Sequence, residues 1–130
     1  MTGWVVQLLV VAGLVQGQPE VIVLPPAPPE VEVGRTQVDA WIEKYAGQYG
    51  VAAETLRYMA KCESTFNPKA VNGPYGGIYQ YSASSWGSNR KVMGENPNPD
   101  LRFDAQEAIK TTAFIVSTRG GGMWPNCMPK

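Results

Sequence analysis

The 130-residue chain has no histidine and only two cysteines, Cys62 and Cys127. These shortages exclude imidazole-based triads, HExxH zinc sites and every four-ligand Cys/His metal centre. Chemistry must therefore come from carboxylates, hydroxyls or amides. Carboxylates are themselves unevenly spread, with no Asp or Glu between Ser64 and Gly94. From Thr36 onward 10 Lys/Arg stand against 8 Asp/Glu, a net +2, too weak a field for a nucleic-acid footprint. A membrane-spanning run is also missing. Trp4 to Val15 is apolar except for Gln7, but 12 residues fall short of the roughly 30 Å of hydrocarbon that a helix must cross.

That short run, followed by small and neutral residues around Gly17, reads as a secretory signal over residues 1–17. Its first residues carry no Lys or Arg, which keeps an uncleaved N-terminal anchor as the alternative. Residues 18–35, "QPEVIVLPPAPPEVEVGR", hold five prolines and no helical period, the composition of an extended, semi-rigid linker. The folded domain is expected over 36–130. In an exported chain an even cysteine count points to a Cys62–Cys127 bridge, the alternative being two free buried thiols. A bridge would close a loop of about 65 residues and contribute roughly 4 kcal/mol by chain entropy.

Within the domain, Val38, Trp41, Ile42, Tyr45 and Tyr49 recur at helical spacing, with Thr36 placed to cap and Gly50 to stop. A second helix is expected from about Ala52 to Glu63, with Leu56, Met59 and Ala60 on its apolar stripe. "NGPYGG" is turn chemistry, and "YGGIYQY" alternates like a short strand or hairpin, giving two or three short strands. Ser82 or Ala83 opens a short helix through Trp86. Asp104 with Glu107 forms a capping box for a last helix whose stripe is Ala105, Ala108, Ile109, Thr112, Ala113 and Val116. Trp41 and Trp124 read as core. The fold class is α+β, mainly α, with four or so helices and a small sheet.

One polar residue sits on an apolar stripe. Glu63 follows Met59 by four positions and Ala60 by three, so it shares their face. Burial and the negative end of a helix dipole both disfavour its anion and push its pKa upward. A carboxylic acid still protonated near neutral pH is what glycosidic cleavage requires, because the leaving oxygen must receive a proton. The plain alternative is a surface or salt-bridged glutamate.

The surrounding motif favours the first reading. "ESTFNPKAV" followed by Gly-Ile-Tyr-Gln resembles the signature of lytic transglycosylases, in which Glu-Ser-x-Phe-Asn-Pro-x-Ala precedes Gly-Leu-x-Gln. "CES" and the terminal "STRGGGMWPNC" look like the resuscitation-promoting-factor relatives of that group. The resemblance covers residues from about 38 to 127 and implies a lysozyme-like fold that cleaves the MurNAc–GlcNAc bond of peptidoglycan. On the same implication Glu63 is the catalytic acid, Asn72 lines the site, Gln80 contacts substrate and Cys62–Cys127 is the group's bridge. Ser64 is read as ordering the turn after the helix. The late Ala-Tyr-Asn motif of many transglycosylases is missing. Tyr75, Tyr79, Tyr81 and Trp86 could stack on sugar rings or simply pack the domain. Strand alternation should keep Tyr79 and Tyr81 off the face that carries Gln80.

Hydrolysing glycosidases usually need two carboxylates, the second as nucleophile or as base for water. The segment after Glu63 offers none, although Asp39, Glu54 or Asp100 could supply one from elsewhere. A transglycosylase manages with one. The expectation is therefore a single-glutamate transglycosylase giving a 1,6-anhydro product, with a hydrolase of the same bond or a non-catalytic wall-binding or signalling module as alternatives. A phage-encoded lysin would not need the export signal. No metal or organic cofactor is required. The expected partner is the peptidoglycan glycan strand, with no nucleic acid and no membrane for the domain itself. The protein is expected to be a monomer, secreted or cell-wall associated in the periplasm or outside the cell.

Overall fold

The computed structural model describes residues 34–130. The signal and nearly all of the linker expected over 1–35 lie outside the described residues.

Helix α1, Arg35–Tyr49, begins at the N-cap Gly34 and ends at Gly50, whose φ of 70° is the left-handed conformation that terminates helices. Arg35, assigned to the linker by sequence, is therefore the first helical residue. Thr36 is not the cap. It lies inside the first turn, and no side chain caps this end. Helix α2, Ala53–Ser64, buries Leu56, Met59 and Ala60, as its spacing predicts.

Three two-residue strands follow, β1 (Val71–Asn72), β2 (Tyr75–Gly76) and β3 (Tyr81–Ser82), in one antiparallel sheet of order β1-β2-β3. Tyr75 stands opposite Asn72 and Ser82, while Gly76 stands opposite Val71 and Tyr81. Residues 77–80 form a turn rather than strand. The two glycines are required there. A Cβ on Gly77 would sit 2.0 Å from the Arg102 carbonyl oxygen, and one on Gly76 would sit 2.4 Å from the Phe103 ring.

Helix α3, Ala83–Met93, runs well past Trp86, where sequence placed its end. Its apolar stripe is too sparse to announce the last turns, because Asn89 and Arg90 are the residues buried there. Ser82 caps it by accepting from the Ser85 N–H at 3.2 Å. A 3-10 turn, Pro99–Phe103, leads into α4, Ala105–Arg119. Half of the expected capping box forms: Asp104 accepts from the Glu107 N–H at 3.0 Å. The Glu107 carboxylate is drawn instead to buried Arg90 (2.8 Å) and to Lys110 (3.8 Å).

α1 packs chiefly on α4 and next on α2, and one core joins the helices to Ile78, Tyr79, Tyr81, Trp86 and Trp124. Trp41 packs at the margin of this core, half-buried. Four helices and a small three-stranded sheet make a mainly helical α+β domain, consistent with a lysozyme-like fold.

The tail after α4 has no regular element to hold it. A disulfide between Cys62 and Cys127, with Cα atoms 5.5 Å apart, fastens it to the last turn of α2. Trp124 adds a second attachment, donating its indole N–H to the Tyr79 carbonyl at 2.9 Å. Because the bridge spans 65 residues, its removal in Cys127→Ser should lower the unfolding free energy by about 4 kcal/mol. Urea titrations of the two proteins check this. A loss under 1 kcal/mol would mean that the core alone holds the tail.

Candidate active site

The site is built on the end of α2. At about 100° per residue, Glu63 falls in line with Leu56 and Met59, on the core side of the helix. It is half-buried. Loss of solvent raises the pKa of its carboxyl above the ordinary glutamate value, with no hydrogen bond or neighbouring charge among the causes. The C-terminal end of the helix dipole acts in the same direction. Lys61, the basic residue in this last turn, lies roughly 160° around the helix and does not face Glu63.

Both neighbours of Glu63 are fixed. Cys62 is in the disulfide. Ser64 donates its hydroxyl to the Ile78 carbonyl at 2.8 Å, lies 3.2 Å from the Ala60 carbonyl, and accepts from the Asn67 N–H at 3.1 Å. As its sequence position suggested, Ser64 orders the turn, and it also ties the helix end to the 77–80 turn. Beyond it Thr65 and Phe66 both adopt left-handed φ values, 54° and 62°, uncommon for a β-branched and a bulky residue. Their N–H groups bond back to the Lys61 and Ala60 carbonyls.

Gln80 is half-buried at a φ of 58°. Its side-chain NH₂ donates to the Gly77 carbonyl at 2.9 Å and the Ala70 carbonyl at 3.3 Å. Two carbonyls fix which end of the amide faces inward. With both donors occupied, the carbonyl oxygen is what this amide can offer a sugar. Asn72 and Tyr75 are directly opposite across β1 and β2, and both are exposed, Tyr75 at 49%. Direct cross-strand partners present their side chains to the same face of a sheet.

Tyr79 and Trp86 do not belong with them. Both are fully buried, and their polar atoms bond inside the protein, Tyr79 to the Leu56 carbonyl at 3.0 Å and Trp86 to the Asn98 carbonyl at 2.9 Å. They cannot offer a ring face to a sugar. Tyr81 is also core, bonded to Thr112 at 2.7 Å and edge-on to Trp86 and Trp124. The aromatic cluster therefore supports the site from beneath, and Tyr75 alone of the four is open. Tyr79 enters the core from the 77–80 turn, not from a strand, and Tyr81 enters it from β3.

The other carboxylates are engaged elsewhere. Asp39, Glu43 and Glu54 all bond to Arg57. Glu54 stands about 180° around α2 from Glu63. Glu95 and Glu107 pair with Lys110, and Asp104 caps α4. Of the three candidate second acids, only Asp100 has no basic partner among the described residues. Those residues also contain no group of three or more His, Cys, Asp or Glu side chains that could hold a metal ion.

Sequence reasoning missed Arg102. Its guanidinium donates to the Tyr81 carbonyl at 3.1 Å and the Pro74 carbonyl at 3.3 Å, bracing the sheet, and the paired glycines that admit it were the available signal.

The family model described as Transglycosylase SLT domain matches residues 40–120. The chain belongs to this family, and with it comes a lytic-transglycosylase-type, peptidoglycan-related function at family level. No curated protein and no solved structure matches the chain.

Because burial raises the Glu63 pKa, the folded state holds this proton more tightly than the unfolded chain does. Any stability gained from protonation is present at low pH and is lost as pH rises through the folded-state pKa. Glu63→Gln should therefore melt slightly above wild type at neutral pH, with the difference vanishing in acid. Melting curves across pH check this; a variant that melts below wild type at neutral pH would mean that the anion is held by a partner.

Proposed function

We propose that the domain is a peptidoglycan lytic transglycosylase that cleaves the MurNAc–GlcNAc bond with Glu63 as its single acid and base. The observation that carries this reading is a desolvated glutamate in the last turn of α2, its proton held by burial, while six of the seven other carboxylates in the described residues are paired or capping. Glu63 gives its proton to the glycosidic oxygen as the bond to the MurNAc anomeric carbon breaks. The resulting carboxylate then takes the proton of the same sugar's 6-hydroxyl, whose oxygen closes on that carbon. Protons balance, Glu63 is regenerated, and no water enters.

Gln80 and Asn72 are the proposed polar contacts, Gln80 as acceptor for an N–H or O–H of the sugar. Tyr75 supplies the open ring beside Asn72. A peptidoglycan substrate supports a location in the periplasm or outside the cell. No helix among the described residues is long and apolar enough to cross a membrane.

Asp100 carries the second reading, since an unpaired carboxylate could activate water in a lysozyme-type hydrolase. Fragment masses separate the two. Digested peptidoglycan should yield anhydro ends lighter by one water than reducing ends. Reducing ends at full mass, lost in Asp100→Asn, would establish the hydrolase instead. Glu63→Gln should retain glycan binding and lose cleavage by roughly 10²–10⁴-fold. A variant that cleaves normally would remove Glu63 from the chemistry.

A further inference from the structure

A groove of about 410 Å³ lies away from Glu63, between the start of α1, the outer face of α2 and the C-terminal tail. Its walls are Arg35, Glu54, Thr55, Arg57, Tyr58, Lys61, Phe66 and Pro129, three cations against one carboxylate that Arg57 already engages at 3.5 Å. Tyr58 and Lys61 stand roughly 140–160° around α2 from Glu63, so this is a different face from the candidate active site. Its size falls within the range of ligand-binding clefts.

Three observations give the groove chemistry. Tyr58 leaves 46% of its surface open. Phe66 lies beneath the Arg35 guanidinium, 3.4 Å from its ring centroid, and reaches this position through the two left-handed residues that end α2. Such backbone conformations cost on the order of 1–3 kcal/mol each and persist where the surroundings require them. The charges are the third. Arg57 is matched by three carboxylates and Arg35 by Asp39 at 3.6 Å, but Lys61 pairs with no carboxylate among the described residues. The groove thus presents an open aromatic ring beside an unmatched ammonium.

We propose that this groove is a second, non-catalytic binding site for the carboxylate-bearing glycan of peptidoglycan, with Tyr58 against a sugar ring and Lys61 on a carboxylate. The inference rests on the substrate class proposed above, though not on turnover. Aromatic faces pack on the apolar faces of pyranose rings, and the ammonium complements the acid that such a ring or its attached peptide carries. A site behind the catalytic face matters only for a polymer. It holds an insoluble wall fragment while another stretch meets Glu63, raising the local concentration of bonds to cut. A short soluble fragment cannot reach both.

The test uses the full chain and compares wild type with Tyr58→Ala and Lys61→Glu, both exposed positions. Cosedimentation with purified insoluble peptidoglycan should show about tenfold weaker binding for each variant, with the melting temperature unchanged in Tyr58→Ala and lowered only slightly in Lys61→Glu, which sets an anion near the negative end of α2. Cleavage of a soluble tetrasaccharide fragment should stay within about twofold of wild type. Unchanged sedimentation would overturn the proposal, as would a parallel fall in fragment cleavage, which would place these residues in the catalytic site. Should wild type cleave neither substrate, the transglycosylase reading fails while sedimentation still decides the groove.

Discussion

The end of α2 is fixed on both sides of Glu63, covalently through Cys62 and by the hydrogen bonds of Ser64. A helix terminus normally frays, and its last side chains sample solvent. Here the disulfide brings the tail across one flank and the Ser64–Ile78 bond draws in the turn that carries Gln80. Glu63 therefore remains half-buried on the core stripe instead of rotating into water. Its raised pKa, and the proton transfer proposed for it, follow from that immobility.

The layer beneath the site consists of aromatic residues whose polar atoms are all accounted for. Tyr79 bonds to α2 through the Leu56 carbonyl, Tyr81 to α4 through Thr112, and Trp124 returns from the tail to the Tyr79 carbonyl. These bonds join three separate parts of the chain under the 77–80 turn. The ionisation of Tyr79 and Tyr81 is suppressed by burial, which leaves them as hydrogen-bonding anchors and not as acids or bases. Arg102 braces the outer side, packed against two glycines where its backbone and the Phe103 ring leave no room for a Cβ.

Much of this arrangement was legible in the sequence where periodicity is strong. The stripes of α1, α2 and α4, the Gly50 stop and the placement of Glu63 beyond Ala60 all follow from helical spacing. α3 was read too short because its final buried positions are Asn89 and Arg90, whose burial depends on partners such as Glu107 and Thr111 far along the chain. Thr36 was read as a cap by residue type, but the helix starts earlier, at Arg35, with Gly34 as its N-cap. The aromatic residues were ambiguous for a related reason: type alone does not distinguish a ring that covers a core from one that faces a ligand. Tyr79 and Trp86 find carbonyl partners 23 and 12 positions away, contacts that no local pattern encodes. The left-handed Thr65 and Phe66 were invisible, since neither is a residue that favours that conformation.

Glu63 holds its proton beyond the range of an ordinary glutamate because solvent is excluded from it. Carboxyl-carbon NMR, following each glutamate of the labelled protein across pH, reads that property without substrate or turnover. The Glu63 resonance should titrate above the ordinary glutamate value. A midpoint at or below that value would mean that solvent is not excluded from the carboxyl.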